Sequence, residues 1–469
     1  MSKKKEEKSE IKELKEQLFT RTDKGIASMK ESEIKKADKY CEDYKKFIDH
    51  SKTEREAVKT AVKLAEKAGF VPFEQDKKYK AGDRIYYVNR HKALALAVIG
   101  KKGVKDGVRL AIAHIDSPRI DLKPNPMYEA SGLAMFKTHY YGGLKKYQWT
   151  ALPLSLHGVV IKTDGTKVEI NLGEKDDEPC FCITDLLPHL AKEQVQKPMA
   201  KVFTGEELNI LAGSRPYDNS GESDLVKLNI MSILNKKYGI TEEDFLSAEL
   251  SFVPALKTRD VGFDESMIGG YGHDDRVCAY PALTAILETE MPENTVITML
   301  ADKEETGSDG NTGMQSDFLR YFIYDLAKAE GEEGYRVLSK SKCLSADVNA
   351  AFDPTYASVY ETQNCSYLNK GVVISKYMGH GGKYDTSDAS AEYMGEIRSM
   401  LEKNNVSWQT GELGKVDMGG GGTIAKYVAN MNVDVIDLGV PVLSMHAPFE
   451  IVSKTDVYMA YRAFYCFFN

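Results

Sequence analysis

No apolar run in the sequence approaches the roughly 18 residues that a membrane-spanning helix needs. The longest candidates, near Ala93–Ile99 and Phe464–Phe468, are far too short, so no membrane partner is expected. Positive charge is in deficit as well. Lys and Arg number 62 against 70 Asp and Glu, a formal net charge of −8. A nucleic-acid binder would normally carry a basic face, so that class is excluded too. Cysteine is scarce and odd in number, seven in 469 residues. A chain this long needs no disulfide staples, and an odd set cannot pair fully. Reduced thiols in a cytoplasmic protein are the expectation. Cys180-Phe181-Cys182 has no second pair nearby to complete a metal site. The first residues, Met1-Ser-Lys-Lys-Lys-Glu-Glu-Lys, lack the apolar segment of a secretory signal. There is no internal repeat and no low-complexity tract. The 42% apolar content excludes wholesale disorder. At about 150 residues per domain the length allows roughly three domains, or two with one large.

The pattern along the chain is that of an α/β protein with a mixed central sheet flanked by helices and an inserted β-rich domain. The first ~25 residues are charge-dense and read as a peripheral helix. Ile34, Ala37, Tyr40, Tyr44 and Phe47 share one helical face. Thr53 and Glu56 form a capping box for a helix over 53–68, which Gly69 stops. Arg84–Val88, Ala93–Ile99 and Val108–His114 read as strands, the last one buried and delivering His114 to its C-terminal end. From Asp121 the texture changes to Tyr- and Gly-rich strands. Asp164-Gly165 between Val159–Thr163 and Lys167–Leu172 is a hairpin signal. Leu225–Tyr238 reads as a helix. After 275 the α/β alternation returns. Helices are expected over Asp275–Glu290, with Pro281 in a first turn or kink, over Ser387–Lys403, and after Ser453, with Asp456 completing a capping-box-like pair. Strands are expected at Asn294–Leu300, Val433–Leu438 and Val442–Met445. The glycine run Gly419–Gly422 precedes a helix over Thr423–Met431.

Five segments place His or carboxylates next to strand ends. They are His114-Ile-Asp116, Asp274-Asp275-Arg276, Glu304-Glu305, Asp347 after Ser345-Ala346, and Met445-His446. In an α/β sheet such ends converge on one crevice. Two divalent ions close together need a shared carboxylate, roughly one His and one further carboxylate each, and open positions for water and substrate. A further carboxylate must take the proton of the attacking water, and another should orient a His ligand. The five segments hold that inventory. Each alone has a bland reading: a surface His-x-Asp, a solvated loop for Glu304-Glu305, an Arg276 that pairs the acids, a satisfied core histidine at 446. Their joint occurrence on matching strand ends favours metal.

In order, these motifs resemble the M18 metallo-aminopeptidases over nearly the whole chain. The C-terminal third is densest, with Asn369-Lys-Gly-Val-Val-Ile374, Gly422-Thr-Ile424 and Asp437-Leu-Gly-Val-Pro-Val-Leu-Ser-Met-His446. The resemblance implies a dizinc exopeptidase fold (phosphorylase/hydrolase-like) over 1–120 and 256–469, with a dimerisation domain inserted at 121–255. It implies that His114, Asp274 and Asp347 hold one zinc, and that Asp274 bridges to a second held by Glu305 and His446. Glu304 becomes the general base and Asp116 the group that orients His114. A cis peptide after Asp274 is implied, as are dimers assembled into a tetrahedral dodecamer. His189, in Pro188-His189-Leu190, matches a histidine that reaches a neighbour's site. Tyr384, Gly421 and Gly422 match substrate-side positions. Members acting on acidic residues carry Lys directly after Gly-Pro-Val-Ile. Here Ser375 stands at that place and Lys376 one further on, so the sequence looks nearer to the aminopeptidase I branch. The implied activity is removal of N-terminal residues from peptides with two zinc ions per subunit, or cobalt or manganese in their place. Rival readings are a catalytically silent assembly or cargo-binding protein on the same scaffold, and a carboxypeptidase or amidohydrolase that keeps the metals.

Overall fold

The computed structural model describes residues 11–15, 17–19 and 25–469. Most of the peripheral helix expected over the first ~25 residues therefore lies outside the described residues.

Ala93–Val98 is buried at every position, and Arg109–His114 at every position but the first. Strands of this kind are covered on both faces. Leu94, Leu96 and Val98 point into one apolar core, and Ala93, Ala95 and Ala97 into another. These strands lie inside a nine-stranded mixed sheet. Its order is Val71–Pro72, Arg84–Asn89, Ala93–Val98, Val296–Ala301, Arg109–His114, Lys342–Ser345, Asp434–Gly439, Val372–Ser375 and Trp408–Thr410. The four central strands from Val296–Ala301 to Asp434–Gly439 run parallel. The first core packs helices Glu31–Asp49, Glu54–Lys67, His273–Glu288, Ala391–Lys403 and Lys454–Phe468 on one face; the second packs Phe318–Glu330 on the other. Full burial of each Leu or Phe there contributes roughly 1.5–3 kcal/mol.

A smaller five-stranded sheet joins Arg259–Val261, Met267–Gly270, Glu450–Ser453, Pro441–Leu443 and Asn349–Ala350. A third, seven-stranded sheet draws every strand from residues between Arg119 and Pro254, and all its pairings are antiparallel. It includes the hairpin of Leu154–Ile161 with Lys167–Leu172, where Gly165 adopts φ 83°, a value open to glycine at little cost.

Thr53 and Glu56 form the capping box read from the sequence. Two local expectations differ. Pro281 lies in the second turn of a helix that becomes regular only after Asp275. Asp456 does not cap the last helix. Its oxygens instead accept the backbone N–H of Asn369 and Gly371, both at 2.7 Å, because that half-buried loop has amides to satisfy.

Candidate metal centre

The parallel strands deliver their chemistry at one end. Ala301 is in register with His114, and Ser345 with Ile112 and Asp437. The chain leaves these strands into Glu304 and Glu305, into Asp116, and into Asp347. The small sheet brings the remaining groups from the side. Met267–Gly270 leads into Asp274, and His446 sits in the turn between Pro441–Leu443 and Glu450–Ser453.

The two imidazoles meet on one carboxylate. His114 Nε2 lies 3.1 Å from Asp274 Oδ1, and His446 Nε2 lies 3.1 Å from Asp274 Oδ2. Asp347 Oδ1 and Glu304 Oε2 are each 3.8 Å from His114 Nε2, and Glu305 Oε2 is 3.5 Å from His446 Nε2. All seven positions singled out in the sequence therefore gather here, since His114 Nδ1 is 3.4 Å from Asp116 Oδ1 and 3.0 Å from its carbonyl oxygen. The Asp274–Asp275 peptide is cis. His114, Asp116 and Asp274 are buried, whereas Glu304, Asp347 and His446 are part-exposed.

Charge in this pocket is unbalanced. Six carboxylates (Asp116, Asp274, Asp275, Glu304, Glu305 and Asp347) face two imidazoles. Burial, reinforced by Asp347, pushes Glu304 up to about 8 against the opposing pull of His114. Burial and the charge of Asp274 push Glu305 well above the ordinary range, and burial lifts Asp347 and Asp275. Burial disfavours the His446 imidazolium, but the bond to Asp274 and the charge of Glu305 outweigh it and raise the group to about 10. His114 is raised in the same way, with Asp116, Asp274 and Asp347 overcoming burial. Asp274 moves down, because the two histidines overcome its burial. Asp274 Oδ1, Glu305 Oε1 and both oxygens of Asp275 are buried without an aligned hydrogen-bond partner. Such a set is costly unless cations complete it, so the residues fit divalent metal. Two three-residue groupings, His114 with Asp274 and Glu305, and His114 with Asp275 and Asp347, have donor atoms within 4.8 Å of one another. Asp275 competes with Asp274 in the second grouping. The two oxygens of Asp274 face different histidines.

Several supporting groups escaped the sequence reading. The Asp116 carboxylate accepts the N–H of Glu304 at 3.1 Å, the N–H of Glu305 at 3.2 Å and the Tyr141 hydroxyl at 2.7 Å. The Gly143 carbonyl lies 2.6 Å from His446 Nδ1. Tyr141 and Gly143 come from the end of the seven-stranded sheet's Leu133–Tyr141 strand. Glu450 is buried and accepts the N–H of His446 at 2.7 Å and of Asp274 at 3.1 Å. A glutamate inside the apolar run Pro448-Phe-Glu450-Ile-Val was the one available signal for it.

The other named residues lie outside this cluster of contacts. Lys376 Nζ pairs with Asp388 at 3.0 Å, and Lys383 shares the same carboxylate at 2.8 Å. Tyr384 is exposed and packs near the His380 ring. Gly421 pairs with Gly379 in a two-stranded ribbon, and Gly422 follows it. His189 is exposed on a turn.

Imidazoles and carboxylates gathered at the parallel strand ends of an α/β sheet define a metal-dependent hydrolase. The family described as "Aminopeptidase I zinc metalloprotease (M18)" matches residues 47–468. A protein of Clostridium acetobutylicum named "Probable M18 family aminopeptidase 1" is 51% identical over 434 residues, 91% of this chain and 93% of its own. The crystal structure of an M18-family aminopeptidase from Thermotoga maritima superposes with a TM-score of 0.90 at 45% identity, covering 94% of this chain and 98% of that one. That of aminopeptidase I from Clostridium acetobutylicum also gives 0.90, at 46% identity, covering 96% and 100%. The more distant mApe1 of S. cerevisiae, 20% identical with a TM-score of 0.74 over 92% of this chain and 97% of its own, was solved as a dodecamer. The chain belongs to the M18 family of zinc metallo-aminopeptidases and is an aminopeptidase.

Proposed function

We propose that this aminopeptidase works with two divalent cations per subunit, zinc in the first place, with cobalt or manganese as substitutes. His114 and Asp347 would hold one ion, Glu305 and His446 the other, and Asp274 would bridge them. The observation that carries this reading is the placement of Asp274 between two imidazoles, 3.1 Å from each. When bound, such a pair supplies Lewis acidity to the scissile carbonyl and acidifies the attacking water. Glu304, part-exposed and 3.8 Å from His114, takes the proton of that water and returns it to the leaving nitrogen. Asp116 fixes the ring of His114 and, through the N–H groups of Glu304 and Glu305, the turn that carries base and ligand. Tyr384, Gly421 and Gly422 form the substrate side. Lys376 also belongs there, sharing the Asp388 carboxylate with Lys383.

Glu304→Gln tests the base. Turnover should fall by about 10²–10⁴-fold with metal content unchanged; near-normal turnover overturns the assignment. An acetylated peptide should resist cleavage. Its hydrolysis would favour a carboxypeptidase or amidohydrolase, and inertness towards every aminoacyl-nitroanilide with added zinc, cobalt or manganese would favour a silent scaffold.

For the assembly, we read 1–120 and 256–469 as the catalytic domain and 121–255 as an inserted dimerisation domain, with dimers building a tetrahedral dodecamer. Exposed Leu186, Leu187 and Leu190 beside His189 support self-association there, and His189 would reach a neighbour's site. Seven free cysteines favour a cytoplasmic setting.

A further inference from the structure

We propose that Glu450 is a positioning residue: its two carboxylate oxygens lock the segment carrying Asp274 to the segment carrying His446, and so set the geometry of the shared metal site. The inference rests on the dinuclear reading above.

Glu450 is 1% exposed. Its Oε2 accepts the backbone N–H of Asp274 at 3.1 Å, and its Oε1 accepts that of His446 at 2.7 Å. One side chain thus bridges the backbones of two groups 172 positions apart in sequence, whose side chains meet at 3.1 Å. The topology explains how. Glu450 pairs with Gly270 in the small sheet, four residues before Asp274, and it closes the turn that contains His446. Within that turn the Ala447 N–H donates to the Ser444 carbonyl at 3.0 Å, and two of its residues are strained. Ser444 and His446 adopt φ 57° and 64°, a region that side chains other than glycine rarely occupy. Such conformations persist when the surroundings over-determine them. Here the Glu450 bond to the His446 N–H and the Gly143 carbonyl at Nδ1 provide that restraint.

The chemistry of the clamp is specific. A carboxylate offers acceptors at both oxygens, whereas an amide offers one acceptor and one donor. Gln at 450 would keep the volume and confront one of the two N–H groups with its own NH₂. Metal sites tolerate displacements of only about half an ångström, and losing a partner that orients ligands typically weakens metal binding about 10–100-fold.

The test compares the purified full-length wild type with Glu450→Gln and Glu450→Asp. Each is stripped of metal, and zinc affinity is then measured by competition with a chromogenic chelator, beside melting temperature and the zinc dependence of kcat. Glu450→Gln should bind zinc at least about tenfold more weakly, melt close to the wild type and regain kcat in excess zinc. Glu450→Asp, with both acceptors on a shorter arm, should recover part of the affinity. Equal zinc affinity in wild type and Glu450→Gln overturns this inference alone. A wild type that retains no second zinc overturns the dinuclear reading and this inference with it. Should Glu450→Gln fail to fold, hydrogen exchange on the metal-free wild type decides. Slow exchange of the Asp274 and His446 amides supports the clamp, and exchange at unprotected rates overturns it.

Discussion

Asp116 holds four neighbours at once: the ring of His114, nearest its backbone carbonyl, the Tyr141 hydroxyl and the N–H groups of Glu304 and Glu305. Asp116→Asn keeps the shape but loses one acceptor oxygen. It should weaken zinc binding about 10–100-fold, read by chelator competition; unchanged affinity would remove Asp116 from the site's support. A second buried histidine makes a stability prediction. His157 lies between Glu56, 2.8 Å from Nδ1, and Glu174, 3.2 Å from Nε2. Burial disfavours its charged form, but the two carboxylates prevail and raise its pKa, while Glu56 is lowered, the bond to His157 overcoming its burial. The imidazolium contribution is full below about pH 6.5, the unfolded value, and fades as pH rises through the raised folded value. The Glu56 contribution is present above about pH 4.5 and fades as pH falls through its lowered value. His157→Ala should therefore cost about 3 kcal/mol near pH 6, and the gap should narrow by pH 9 in urea unfolding. A gap that widens with pH would contradict this.

Among the elements, what the sequence made legible was what the chain writes locally. Thr53 and Glu56 cap their helix because both partners lie within one turn. Thr53→Ala should cost about 1 kcal/mol in thermal unfolding, and no change would mean the cap adds nothing. The buried strand ending at His114 and the acids after Ala301 were legible because an apolar run followed by titratable residues marks a strand end. The supports were not. Gly143 acts through a carbonyl that any residue possesses, Tyr141 arrives from another sheet, and Glu450 depends on a strand pairing with Gly270. Asp456 looked like a cap because of its spacing from Ser453, yet the loop at 369–371 claimed its oxygens. Tyr141→Phe should leave the fold intact and speed zinc loss to a chelator by about tenfold; unaltered loss would show that Asp116 needs no help from that sheet.

For the whole molecule, the candidate metal centre lies where three sheets meet. The nine-stranded sheet brings His114, Glu305 and Asp347, the five-stranded sheet brings Asp274 and His446, and the seven-stranded sheet holds His446 and Asp116 in place through Gly143 and Tyr141. That coupling predicts that disturbing the proposed dimerisation unit reaches the chemistry. Leu187→Asp with Leu190→Asp should lower the mass of the assembly in light scattering; an unchanged mass would exclude this patch from the interface. The shared site is tested most sharply by anomalous diffraction at the zinc edge from crystals of the loaded enzyme. Two peaks should flank the Asp274 carboxylate about 3.5–4 Å apart, one beside His114 and one beside His446. A single peak, or peaks remote from Asp274, would contradict the shared site.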